Sequence, residues 1–302
     1  MALRAVTFPL TGLRAPNEAA ARRPSLAVKI DNVNGAWPQA GLNRADIVFD
    51  ILVEGGLTRL MAVYQSHGAP LVGPIRSARP VDARLLRLFH GGYFAYSGAS
   101  SPEIRPVMRF SHAAIVQDTH YPELFFRRND HASPDNLFSS TARLLRALHR
   151  KAPHTSAPPQ VFHYSSAKSK GTPTSGVVVP FPAATAGWTW AGRHWVRTQD
   201  GHADRLMDGS RVSATNVVIL SVKVVGTGIF EANGSEDPLP VTIGSGKTWV
   251  LTKGVRVAGT WRRATISDPV RLIDSHGRPI SLTPGRTWVE LMPRAGSPSF
   301  HR

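Results

Sequence analysis

The sequence predicts a mixed α/β N-terminal domain followed by a β-rich C-terminal domain. Strand and helix signals alternate through the first half. Pro153 to Pro159 is a Pro- and Ser-rich stretch suited to a linker. Beyond it, short β-branched and aromatic runs are separated by Gly and Pro turns. The expected division is 1–153 and 157–302, and 302 residues suffice for both. A composition of 42% hydrophobic and 19% charged residues suits a globular protein with a real core.

In the first half, Ser25–Ile30 reads as a strand with Asp31-Asn32 as its polar exit. Asp46–Val53 fits either a helix or a buried strand, and its β-branched residues favour the strand. Leu60–Tyr64 is short and apolar enough to be a buried strand. Pro80 suits a first helical turn, with Val81, Leu85, Leu88 and Phe89 at helical spacing and Gly91-Gly92 as the stop. Tyr93–Tyr96 is a strand. Ser101-Pro102-Glu103 reads as a cap, a first-turn proline and an acidic early residue of a helix to about Phe110. Ala113–Val116 is a strand, Asn129–Asn136 a polar loop, and Ser140 caps a helix through Leu144, Leu145 and Leu148.

In the second half, Trp188–Val196 reads as a hairpin and Asn216–Val225 as one long strand. A meander follows over Val241–Ile243, Lys247–Leu251 and Val255–Trp261, broken at Gly244-Ser245-Gly246 and Lys253-Gly254. Arg271–Ile273, Ile280–Leu282 and Thr287–Leu291 continue it, with turns at His276-Gly277 and Pro284-Gly285. Tryptophans at alternating strand positions (Trp188, Trp190, Trp195, Trp249, Trp261, Trp288) are expected in the core rather than as glycan-stacking platforms.

The formal charge of +16 and pI near 11.2 fit an anionic partner. The arginines are scattered, with no basic run interleaved with aromatics and no helix-turn-helix or zinc-finger spacing, so nucleic acid is not the expected partner. Cysteine is absent, which excludes disulfides and thiolate chemistry. No apolar run approaches a membrane span. Met1–Val6 lacks the apolar core of a leader peptide. No phosphate loop, nucleophile elbow or zincin helix is present, and no cofactor or metal is expected. His131 with Asp130 and Asp135 fits no ligand spacing.

Candidate chemistry gathers in two glycine-flanked blocks, Val53-Glu54-Gly55-Gly56-Leu57-Thr58-Arg59 and Gly73-Pro74-Ile75-Arg76-Ser77-Ala78-Arg79. Three guanidiniums near a hydroxyl and one carboxylate, all at strand ends, is the composition of an anion site. Ser97, Arg127, Arg128 and Asn136 are further candidates for it, and Ser77 or Asn136 would orient the ligand. The same residues could equally form a structural ion-pair network in which Glu54 holds two loops together. In an enzyme, Glu54 or Asp50 would be the general base and the arginines would stabilise developing negative charge.

The chain resembles the YerB-like putative lipoproteins, a bacterial family of unknown function. The residues that carry the resemblance are Pro9–Gly12, Ile30–Asn32, Ala45–Arg59, Gly73–Arg79, Phe126–Arg128, Pro134–Phe138, Gly259–Trp261 and Pro284–Leu291. It spans nearly the whole chain and departs at two positions of one motif. Asp135 stands where the family has His, and Phe138 where it has Tyr. The lipobox Cys is also absent. The resemblance implies an extracytoplasmic, envelope-associated protein, with membrane contact only through a lipid anchor that requires a leader to have been trimmed. An anionic cell-wall or lipid-linked ligand, or an envelope protein, is the expected partner. A phosphotransferase or hydrolase acting on an anionic envelope substrate is the alternative.

Overall fold

The computed structural model describes residues 6–146, 156–167, 170–230 and 234–302. Met1–Ala5, Leu148 and the Pro153–Thr155 part of the expected linker lie outside the described residues.

Strands β1 (Leu26–Asp31), β2 (Ile47–Leu52) and β3 (Thr58–Tyr64) are buried along their whole length. That explains why Asp46–Val53 shows no alternation, since a strand covered on both faces reads as a continuous apolar run. Helix α1 (Glu18–Ala21) precedes β1, and α2 (Pro80–Leu86) leads to β4 (Tyr93–Tyr96), which lies parallel to β1. Helix α3 (Ser101–Phe110) crosses to β5 (Ala114–Gln117), parallel to β4. The cap of α3 is Ser100 rather than Ser101. Ser100 Oγ accepts the Glu103 N–H at 3.4 Å and the Glu103 carboxylate accepts the Ser100 N–H, closing a capping box. Helix α4 (Thr141–Arg146) starts where Ser140 Oγ accepts from the Arg143 N–H.

The second half begins with β6 (Gly176–Pro180), β7 (Thr185–Trp190) and β8 (Trp195–Gln199), antiparallel neighbours. The expected single strand Asn216–Val225 is two. β9 (Asn216–Val222) ends at Lys223, and β10 (Val224–Phe230) pairs instead with β11 (Glu236–Pro240). Val241–Ile243 is not a strand, and Gly244–Gly246 is not a break but the start of β12 (Gly244–Thr252). A Cβ at Gly246 would stand 2.3 Å from Ser221 O and 2.6 Å from Trp261 Nε1, so glycine here serves close packing rather than a turn. β13 (Val255–Arg263) and β14 (Arg271–Asp274) continue the meander. Ile280–Leu282 contributes only an isolated bridge, from Leu282 to Tyr164. β15 (Thr287–Pro293) and β16 (Ser299–His301) close the chain.

β15 lies parallel between β9 and β2. One sheet therefore runs through both halves in the order β14-β13-β12-β9-β15-β2-β3-β1-β4-β5, with Thr172–Pro173 as an eleventh strand beside β13. Trp188, Trp195, Trp261 and Trp288 are buried, and Trp188 meets Trp288 edge-on with centroids 5.2 Å apart. Trp190 and Trp249 are partly buried against the same core.

The seam between the halves also carries charge. Asp50 of β2 stands opposite Glu290 of β15, and both are fully buried. Arg197 of β8 reaches Asp50 Oδ2 at 2.5 Å and Asp204 Oδ2 at 2.6 Å, with its guanidinium 4.8 Å from the Trp288 ring centroid. Trp188 Nε1 donates to Glu290 Oε1 at 2.8 Å. Burial pushes both acids up, Glu290 to about 8, with the Asp50 charge adding to the rise and Arg197 opposing it.

Two outcomes follow from this seam. Arg197→Met, which leaves buried carboxylates without their cation, should cost about 3–5 kcal/mol in urea unfolding. A carboxyl raised in the folded state binds protons more tightly there than in the unfolded chain. Stability should therefore fall as pH rises from 4.5 towards about 8. Glu290→Gln should flatten that dependence in thermal unfolding scans.

Candidate functional site

The segment Gly73–Arg79 runs beside the end of β1. Asp31 N–H donates to Pro74 O at 3.0 Å and Arg76 N–H to Lys29 O at 3.0 Å. On its other side it meets the exit of β4, where Ser97 N–H donates to Arg76 O and Ala78 N–H to Gly98 O, both at 3.1 Å. Arg76 and Arg79 thus lie at the carboxyl ends of parallel strands, where ligands of α/β sheets commonly bind. α2 starts there: the Asp82 carboxylate accepts the Arg79 N–H at 2.7 Å, and its other oxygen accepts from the fully buried Lys29 Nζ at 2.8 Å. Burial lowers Lys29, and Asp82 opposes that shift. The Glu54–Gly56 turn lies between β2 and β3. Gly56 has φ +77°, and a Cβ there would stand 2.9 Å from Pro182 Cβ, so the turn requires glycine.

Glu54 joins two of the arginines. Arg59 Nη2 donates to its Oε1 at 3.0 Å, and Arg79 donates Nε to Oε2 at 2.8 Å and Nη2 to Oε1. Arg79 Nη1 lies 2.7 Å from Glu103 Oε1, and Nε 3.7 Å from Asp237 Oδ1 of β11. Asp31 joins the third. Arg76 Nε donates to Asp31 Oδ2 at 2.6 Å, and Arg59 Nε stands 3.8 Å from Asp31 Oδ1. Arg76 Nε is also 3.3 Å from Asp135 Oδ1.

The electrostatics separate these carboxyls. Burial pushes Glu54 up, but the Arg79 hydrogen bond and the charges of Arg59 and Arg79 outweigh it and hold Glu54 at about 2. Asp237 is fully buried and neither oxygen has a hydrogen-bond partner. Burial raises it to about 7, Arg79 opposing and Glu54 and Glu103 adding to the rise. Burial, reinforced by the neighbouring Asp31 carboxylate, raises Asp135, with Arg76 and Arg59 pulling it back. A carboxylate at about 2 is a weak base at neutral pH, and Asp50 is sealed in the seam. Neither of the two expected bases is suited to that role. Arg59 is only 8% exposed, and its Nε and Nη1 have no hydrogen-bond partner. Burial and the charge of Arg79 lower it.

The remaining expected residues sit differently. Ser77 is half-buried, with its Oγ against Gly98. Ser97 Oγ donates to Asp118 Oδ2 at 2.8 Å. Arg127 is exposed and its Nη1 donates to Asn136 Oδ1 at 2.5 Å. Arg128 pairs with Asp130 and covers the Phe138 ring with its centroid 5.7 Å away. Asn136 Oδ1 therefore faces Arg127, while its chain neighbour Asp135 reaches Arg76. Four carboxyls, Asp31, Glu103, Asp135 and Asp237, have a place in this network that the sequence did not give them. Asp31 at a strand exit and Asp135 beside Asn136 offered a positional hint. Asp237 offered none.

Fold and site together define a two-part protein, mixed α/β then β-rich, with a buried network of arginines and carboxyls at its strand ends. The chain belongs to the family described as "Protein of unknown function (DUF3048)". Residues 10–155 match its N-terminal domain and residues 177–289 its C-terminal domain. It is 27% identical over 307 residues to "Putative lipoprotein YerB" of Bacillus subtilis (strain 168), covering 97% of this chain and 88% of that protein. It superposes on a crystal structure of YerB protein from Bacillus subtilis with a TM-score of 0.82 at 23% identity, covering 97% of this chain and 99% of the other. That likeness establishes the fold.

Glu54→Gln should leave Arg59 and Arg79 without their shared charge and destabilise the fold by about 3–5 kcal/mol in urea unfolding, the loss expected for one partner of a buried ion pair.

Proposed function

We propose that this chain is an envelope-associated protein that binds an anionic group at Arg59 and Arg76. The ligand is a phosphate- or carboxylate-bearing glycan, a lipid-linked group or an acidic segment of an envelope protein. The observation that carries this reading is Arg59: nine-tenths buried, with two nitrogens lacking hydrogen-bond partners. Such donors are costly to leave unmade. Arg76 lies beside it, its side chain 26% exposed, with Nε alone committed to Asp31 and Asp135. A ligand oxygen arriving from the surface would accept from both guanidiniums. An envelope location is supported by the lipoprotein description of the relative. The two parts, 1–153 and 157–302, act as one body, because they share a sheet and Asp237 of the second reaches Arg79 of the first.

The cluster carries no excess of positive charge. Five carboxyls (Asp31, Glu54, Glu103, Asp135, Asp237) face three guanidiniums. The anion must therefore compete with Asp135 for Arg76. A protonated Asp135 is neutral and offers a proton to the ligand, whereas an ionised one occupies Arg76 and repels it. A second reading, a phosphotransferase or hydrolase, is favoured by the raised Asp135, which would be its proton donor.

Calorimetric titration with poly(glycerol phosphate) and with muropeptides tests the proposal. Arg76→Ala should weaken binding tenfold or more. Affinity should fall as pH rises through the elevated pKa of Asp135, and Asp135→Asn should remove that dependence while keeping a donor. Saturable binding that Arg76→Ala leaves unchanged, or no binding by either probe, contradicts the assignment. Turnover that Asp135→Asn abolishes while sparing affinity would favour the second reading.

A further inference from the structure

A separate cavity of about 300 Å3 opens where the two halves meet, away from the Glu54 network. Its walls come from distant parts of the chain: Thr11, Arg44 and His67 from the first half, Thr215 and Arg286 from the second. The volume is at the lower end of the range for small-molecule sites, about 300–1,000 Å3. We infer that this cavity is a second binding site, for a small compound bearing a phosphate or carboxylate group gripped by Arg44, Arg286 and His67.

The lining carries more basic groups than acidic ones. Two guanidiniums and a histidine line the cavity against one carboxyl, Asp46. Both Asp46 oxygens are already engaged. Oδ2 accepts the N–H groups of Gln65 at 2.6 Å and Ser66 at 2.7 Å, and Oδ1 accepts the Ser66 hydroxyl. Asp46 thus fixes the turn after β3 and is not spent on Arg44.

One of the guanidiniums is also preorganised. Arg286 is held at the seam by donating Nη1 to Asn43 O and Nη2 to Ser213 Oγ at 2.8 Å, which uses one N–H of each terminal nitrogen. Its remaining donors are fixed in direction, which lowers the ordering cost on binding. Burial and the charge of Arg44 work against the Arg286 cation and the Asp46 charge only partly offsets them, so an anion between the two arginines would relieve their repulsion further. His67 Nδ1 lies 2.8 Å from Ser66 Oγ, which sets the ring's position. Thr11 and Thr215 complete the lining. This site does not depend on the reading given for Arg59 and Arg76.

Calorimetric titration of the full chain carrying Arg76→Ala, which disables the first site, with inorganic phosphate and in parallel with acetate at matched ionic strength, tests it. Saturable binding is expected. Arg44→Ala and His67→Ala, both at exposed positions, should each weaken it tenfold or more when added to that background. Stronger binding of phosphate would assign a phosphate ester, and stronger binding of acetate a carboxylate. No saturable binding of either ion overturns the site, as does binding that survives the Arg44→Ala, His67→Ala double substitution in that background. Thermal unfolding of each variant without ligand keeps a folding defect apart from a binding defect.

Discussion

The parallel pairing of β2 with β15 is the constraint on which the rest of the structure depends. It turns two halves of the chain into one sheet and sets Asp50 opposite Glu290 in a place without water. Two carboxyls at that position would repel each other. Arg197, arriving from the second sheet, and a retained proton make the arrangement tolerable. Such a seam is unforgiving of substitution, because each member leaves an uncompensated partner when removed.

The same pairing bears on the Glu54 network. With β15 beside β2, the β10–β11 hairpin can bring Asp237 against Arg79, and Pro182 and Ala183 can close over Gly56. The network is thus sealed from below by the second half and open towards Arg76. Its carboxyls differ because their surroundings differ. Glu54 is gripped by two guanidiniums, whereas Asp237 is buried with no hydrogen bond and one guanidinium at 3.7 Å. A site that holds Glu54 at about 2 and raises Asp237 to about 7 has a response to pH built into its geometry.

Much of the fold was legible because the controlling signals are local. Strands β1, β3 and β4 are apolar runs bounded by polar or glycine residues, and α3 carries its own cap and proline. Gly244–Gly246 reads as a break because glycine usually punctuates, whereas at Gly246 Ser221 O and the Trp261 indole leave no room for a Cβ. The break at Lys223 was missed because the apolar run continues across it, and only tertiary pairing divides β9 from β10. At the site, glycine-flanked charges marked Glu54, Arg59, Arg76 and Arg79. Their partners Glu103 and Asp237 arrive from a helix and a hairpin whose placement no local pattern encodes. Asp50 read as a potential base because its sequence context does not reveal that Arg197, 147 positions away, would enclose it.

In the proposed anion site, protonation of Asp135 and binding of an anion at Arg76 are linked. Linkage requires that an anion favouring protonated Asp135 must in turn raise the pKa of that carboxyl by the same free energy. Carbon-detected NMR titration of the Asp135 side-chain carboxyl, with and without saturating poly(glycerol phosphate), measures this directly. The account predicts an upward displacement of its titration on binding. An unchanged or lowered titration under saturating ligand would contradict it.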